Sequence, residues 1–217
     1  TTIADNTWGA GYFLNPLDLG ADIVVQAMTK YIVGHADGFG GAVITSDERL
    51  YNRISMASED FGISLAPDDA YLCLRGMHPL HTRLRAHEAA ALELANWLAD
   101  RPEVSEVLHP ALPSSPDHTL WKRDFSGSSG LFGVVLNAIP EGGMDRFLGA
   151  LHLFGMGFSW GGYESLLIPC DHQLTRSKDS WTASRAGPLL RIHVGLEAVS
   201  DLKAELDSAF AALKGPA

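Results

Sequence analysis

Gln26-Ala27-Met28-Thr29-Lys30-Tyr31-Ile32-Val33-Gly34-His35-Ala36-Asp37 follows directly on Ala21-Asp22-Ile23-Val24-Val25. That preceding run is rich in β-branched residues and reads as a buried strand over residues 21–27. A lysine just past the end of such a strand is costly to desolvate unless it is paired or neutral. Desolvation lowers a lysine pKa and favours the nucleophilic free amine. An isolated lysine in this position ordinarily snorkels to solvent. Its neighbours therefore decide how Lys30 is read.

Upstream, Ile3-Ala4-Asp5-Asn6 reads as a second strand end, separated from the first by a helix-length connection. Asp5 and Lys30 would then end parallel strands at one edge, where open α/β sheets bind ligands. A carboxylate facing a lysine there is either an ion pair or the pair that pyridoxal phosphate (PLP) requires. That cofactor needs a lysine for its aldehyde and an acid at its ring nitrogen.

Downstream, residues 40–45 read as a third strand, and the apolar runs suit a sheet covered on both faces. Ser46 is placed to cap a helix through Asp47-Glu48-Arg49. From Leu80 to Ala99, Leu84, His87, Ala91, Leu92, Ala95 and Leu98 recur at helical spacing, up to the stop at Arg101-Pro102. Residues 104–107 and 130–136 read as strands, 144–154 as a helix closed by Gly155, and 113–116 as a loop. In 189–196 the alternation puts Arg191 and His193 on one face and Leu190, Ile192 and Val194 on the other. Ser200 is placed to cap a last helix reaching about Leu213. The second half thus reads as α+β.

The 217 residues can bury a sizeable core. With 16 Lys+Arg against 26 Asp+Glu the net charge is −10, no footprint for a nucleic-acid backbone. No apolar run is long enough to cross a bilayer. Cys73 and Cys170 sit among apolar residues and read as two buried reduced thiols, which suits a cytoplasmic protein. His78, His81 and His87 read as a solvated helix face rather than a metal set, and no metal site is expected. Gly38, Gly40 and Gly41 lack the order of a dinucleotide fingerprint and suit a tight turn. The chain opens Thr1-Thr2-Ile3, directly into a strand, which reads as a partial chain.

Asp5-Asn6-Thr7-Trp8, Thr29-Lys30-Tyr31, Gly34-His35-Ala36-Asp37, the stretch 121–132, Ser159-Trp160-Gly161-Gly162-Tyr163-Glu164-Ser165-Leu166 and Leu190-Arg191-Ile192-His193-Val194-Gly195-Leu196-Glu197 together resemble the Cys/Met-metabolism family of PLP enzymes. The likeness runs along the whole chain and is strongest to the branch that cleaves cystathionine by β-elimination. It implies an α/β fold of the aspartate-aminotransferase type (fold type I). Residues 1–76 would end the PLP-binding domain, and 77–217 would form a smaller α+β C-terminal domain.

The resemblance also implies roles. Lys30 would capture the cofactor aldehyde and act in catalysis. Asp5 would pair with the ring nitrogen, and Thr29 would help hold the phosphate. Ser159 and Arg191 would hold the substrate carboxylate, with Trp160 shaping the pocket. The implied substrate is an amino-acid thioether, and the implied assembly is a homotetramer, a dimer of dimers. An N-terminal companion segment would supply the rest of the cofactor cradle. Ala27 and Ala36 depart from the serines commoner at those places, and the first removes one phosphate contact. His35 and Asp37 read as braces for the loop after Lys30, and Tyr163 and Glu164 as turn residues. His193 shares a face with Arg191 and is at least as well read as structural.

Overall fold

In a computed structural model, residues 1–173 and 187–214 are described. β1 (Ile3–Asp5) and β2 (Ile23–Ala27) run parallel, and β3 (Gly41–Ile44) joins β2 antiparallel. Asp5 lies opposite Val25, so the C-terminal ends of β1 and β2 open on the same edge, as expected. The connection between them holds turns rather than a helix. Side chains satisfy its backbone instead: buried Asn6 donates to Leu14 O at 3.0 Å, and Thr7 Oγ1 accepts from Ala27 N at 3.0 Å. The strand at 40–45 is present but is not covered on both faces. Gly41, Val43 and Ile44 are exposed at an antiparallel edge.

α1 (Glu48–Asp60) is capped by Asp47, whose carboxylate accepts from Leu50 N at 3.0 Å; Ser46 lies one residue too early. No residue of α1 is buried, and Tyr51 and Met56 face outward. α2 (Pro67–Met77) begins with Pro67 in its first turn and Asp68 and Asp69 beside it, a favourable helix start. α3 (Leu80–Ala99) has the expected bounds. Its buried face includes Leu84, Ala91, Leu94, Ala95 and Leu98, together with His87, which is fully buried rather than solvated.

The second sheet comprises β4 (Val104–Leu108), β5 (Leu131–Leu136), β6 (Leu166–Pro169) and β7 (Leu189–His193), all antiparallel in the order β4-β5-β7-β6. α4 (His118–Asp124) precedes β5, α5 (Gly143–Gly149) follows it, and α6 (Val199–Ala212) ends the described chain. One core joins α3, α5 and α6 to this sheet through Leu94, Leu98, Leu136, Phe147, Ile192 and Phe210. Each fully buried Leu or Phe in it contributes about 1.5–3 kcal/mol.

The helix expected over 144–154 stops at Gly149 because the amides of His152, Leu153 and Phe154 turn to the Glu205 carboxylate, at 2.6, 2.6 and 2.9 Å. Ser200 does not cap α6: the cap position is Ala198, and Ser200 bonds Asp201 inside the first turn. Cys73 and Cys170 are free and buried, and burial pushes both thiols up. No helix among the described residues is long and apolar enough to cross a membrane.

Candidate active site

β2 ends at Ala27, and Lys30 follows in a tight turn where Lys30 N donates to Ala27 O at 3.2 Å. That turn is fastened from below. Arg83, on the buried face of α3, donates to Tyr31 O at 2.7 Å, Ile32 O at 3.1 Å and Gly76 O at 2.7 Å. Gly34, at φ +70°, is required there because a side chain would enter the Arg83 guanidinium. Gly76, where a domain boundary was expected, lies within α2 against the Ile32 carbonyl. Tyr31 is fully buried, and its hydroxyl accepts from Gly130 N at 2.9 Å. Lys30 is thus anchored on both sides by backbone contacts to its neighbours.

The opposite wall is the segment after α5. Lys30 Nζ donates to Ser159 Oγ at 2.8 Å and stands 5.5 Å from the centre of the Trp160 ring. Arg191, from β7, donates through one terminal nitrogen to Phe158 O at 2.7 Å, Gly157 O at 3.3 Å and Ser159 O at 3.4 Å. It therefore holds the wall that faces Lys30. Burial first, and then the Arg191 charge, hold the Lys30 amine below its ordinary value. A cleft of about 210 Å³ opens here, lined by Thr29, Phe39, Ser159, Trp160, Gly162 and Glu164.

Five of the six residues singled out in the sequence thus converge: Thr29, Lys30, Ser159, Trp160 and Arg191. Asp5 stands at the end of β1, its carboxylate accepting from Thr7 N at 2.9 Å, and among the described residues it makes no hydrogen bond or ion pair to the other five. The Thr29 hydroxyl donates to Gly40 O at 3.2 Å and accepts from Gly40 N at 3.0 Å, so its single O–H is already engaged. An amine held below its usual pKa, a carboxylate at the same sheet edge and a nearby guanidinium suit a pyridine aldehyde bound to an amino acid. This donor set fits PLP, with the phosphate end the least furnished.

His35 Nδ1 meets Val33 O at 2.7 Å and braces the loop, as expected. Tyr163 and Glu164 lie in a turn that also receives Leu196 N. Sequence reasoning left out Tyr31 and Arg83, and it left the part played by His193 open. The signal for Tyr31 was a large aromatic beside the lysine; the signal for Arg83 was an arginine on the apolar face of a helix. No group of His, Cys, Asp or Glu among the described residues could hold a metal ion.

The model of the family described as Cys/Met metabolism PLP-dependent enzyme matches residues 1–211. The chain is 46% identical over 206 residues to cystathionine β-lyase of Bordetella avium, covering 94% of this chain and 51% of that protein. It is 43% identical to the Salmonella typhimurium cystathionine β-lyase (95% and 53%). Its identity to the Dictyostelium discoideum cystathionine γ-lyase is 37% (96% and 54%). The crystal structure of cystathionine γ-synthase from Xanthomonas oryzae pv. oryzae in complex with cystathionine superposes with a TM-score of 0.90 at 32% identity, covering 98% of this chain and 56% of that one. The chain spans about half the length of the curated relatives it matches. Its fold is that of these PLP enzymes, fold type I, and the chain belongs to the Cys/Met metabolism family of PLP-dependent enzymes.

Proposed function

We propose that this chain carries the lysine-bearing half of a PLP-dependent carbon–sulfur lyase that cleaves L-cystathionine by α,β-elimination to homocysteine, pyruvate and ammonia. The observation that carries this reading is the Lys30 amine, 2.8 Å from Ser159 Oγ and lowered in pKa by burial and by Arg191. Preference for the β-lyase over the γ-lyase rests on the 46% and 43% identities set against 37%.

Lys30 would capture the cofactor aldehyde, Asp5 would face the ring nitrogen, and Thr29 would lie toward the phosphate. The cofactor, when bound, supplies an electron sink for negative charge at the substrate Cα. Lys30 would also be the base that takes the α-proton; burial and the Arg191 charge, which lower its pKa, favour the neutral form a base needs. Ser159 receives the amine's hydrogen bond and holds it over the cleft. Arg191 spends one terminal nitrogen on backbone carbonyls, and among the described residues its Nε and other terminal nitrogen take no partner. These are the donors a substrate carboxylate would meet. Trp160 shapes the cleft and excludes water from the thioether.

A companion N-terminal segment would complete the cradle, and a homotetramer is the assembly expected from the resemblance. The free buried thiols support a reducing, cytoplasmic setting. The likeness to the γ-synthase structure favours a second reading, a γ-elimination or replacement on the same residues. The complete enzyme given L-cystathionine separates them: pyruvate supports the first, 2-oxobutyrate the second. Near-normal pyruvate release by Lys30→Ala would refute both. A third reading is an inactive fragment, for which this chain alone would show no visible absorbance that borohydride removes and no keto-acid product.

A further inference from the structure

Behind the cleft lies a buried aromatic stack that the reaction does not use directly. Tyr31, His87 of α3 and His193 of β7 are all essentially inaccessible. Their rings stand 5.4 Å (Tyr31–His87), 5.8 Å (Tyr31–His193) and 5.4 Å (His87–His193) apart, and Trp160 is 5.5 Å from Tyr31. The hydrogen bonds fix the His87 tautomer and seat His193 Nε2 against both groups of one turn. Gly161 N–H, which can only donate, points to His193 Nε2 at 3.1 Å, and Gly162 O, which can only accept, stands 3.0 Å from the same atom. Either tautomer of His193 therefore ties its ring to the Gly161–Gly162 turn. Val194 O can only accept, and it faces His87 Nδ1 at 2.8 Å, so His87 carries its hydrogen there and Nε2 is bare. His193 Nδ1 and His87 Nε2 are both buried, each without a partner among the described residues.

The bond from Gly161 holds the wall of the cleft. Gly161 has φ +90°, and its Cα presses so closely on the Lys30–Tyr31 peptide that a Cβ would stand 2.8 Å from Tyr31 N. Ser159, two residues earlier, is the partner of Lys30 Nζ. We propose that His193, packed in the stack with His87, is a positioning residue that fixes the Gly161–Gly162 turn and through it sets Ser159 and Trp160 against Lys30. This rests on the reading of Lys30 as the reacting amine, although the labelling arm of its test does not.

Protonation would alter one half of the arrangement. A fully protonated ring keeps Gly162 O as the acceptor of its Nε2–H, 3.0 Å away, but can no longer accept from Gly161 N. The groups bearing on His193 are His87 and Arg83 from α3, Arg191 from its own strand, Tyr31 from the turn after β2, and Glu197 through His87. Burial above all, and then the His87 and Arg191 charges, push His193 down to about 4, against the Gly162 carbonyl, which pulls it up.

The test uses the complete protein, with and without cofactor. Lys30 is acylated with an amine-selective reagent across pH 6–11, and its modification is read by peptide mass. His193→Leu is expected to lift the labelling midpoint toward that of an ordinary lysine and to cut kcat by about tenfold, the cost of one buried hydrogen bond, with KM changed far less. His193→Gln, whose amide oxygen can replace Nε2 as acceptor, should recover most of both. A folded His193→Leu protein with the parent's midpoint and kcat would overturn the proposal. Should neither variant fold, hydrogen exchange in the unaltered protein decides. A Gly161 amide protected at neutral pH and released below about pH 4 supports the role; an unprotected one refutes it. Were Lys30→Ala to leave activity intact, the lyase reading would fail while the labelling shift still stood.

Discussion

Gly161→Ala tests whether the two walls of the cleft are held together by backbone contact. Gly161 sits at φ +90°, and a Cβ would lie 2.8 Å from Tyr31 N, 2.9 Å from Lys30 C and 3.0 Å from Lys30 Cβ. None of these neighbours is a flexible side-chain end, so none can swing aside. The left-handed backbone costs an alanine about 1–2 kcal/mol, and the overlap about 1–3 more. The expected destabilisation is therefore about 2–5 kcal/mol, read as a shift in the urea midpoint at constant slope. To restore ordinary contact, the turn must recede by roughly half an ångström. That would stretch the 2.8 Å Lys30–Ser159 bond beyond good geometry and lower kcat/KM for keto-acid release by about tenfold. Gly149→Ala is the control: nothing lies within 4 Å of its Cβ and its φ is ordinary, so it should be neutral or slightly stabilising. A Gly161→Ala protein as stable as the parent, with the same kcat/KM, would refute the reasoning.

Three further outcomes follow from buried polar groups. Arg83→Met strips three carbonyls of a charged donor and should cost about 3–5 kcal/mol of stability in denaturant melts, whereas exposed Arg85→Met should cost under 1. Tyr31→Phe leaves the Gly130 amide without its acceptor and should cost about 1–3 kcal/mol, measured the same way. Fully buried His109 accepts from Ala111 N at 3.1 Å, and burial pushes it down to about 4. A folded pKa below the unfolded 6.5 means its contribution is complete above pH 6.5 and is lost as pH falls toward 4. The loss would approach about 3 kcal/mol. His109→Asn, which keeps an acceptor near Nδ1 without the titration, should flatten the fall of Tm between pH 6.5 and 4.

The parts of the molecule that were legible are those where one local rule governs. α3 was readable over its whole length because its apolar spacing faces a single core. Lys30 stood out because a charged residue closed a β-branched run. The turn from 6 to 22 was not readable, since side-chain bonds such as Asn6 to Leu14 O replace a periodic pattern. The end of α5 was hidden for a similar reason: its competitor, the Glu205 carboxylate, lies more than fifty residues away. His87 looked solvated because Arg85, Ala86 and Glu88 surround it in sequence, while its ring meets β7 across the fold. Ser159, Trp160 and Arg191 came from motif resemblance. Their convergence on Lys30 is tertiary and has no sequence period.

Arg83 gives the site an asymmetry in acid. A guanidinium does not lose its charge in any pH range where the protein is folded. The floor beneath Lys30 is therefore insensitive to protons, and so is the stretch of the facing wall from Gly157 to Ser159, which the Arg191 guanidinium holds. Only the Gly161 amide rests on an imidazole. On acidification that end of the wall should yield first, while Lys30 and Ser159 keep their places.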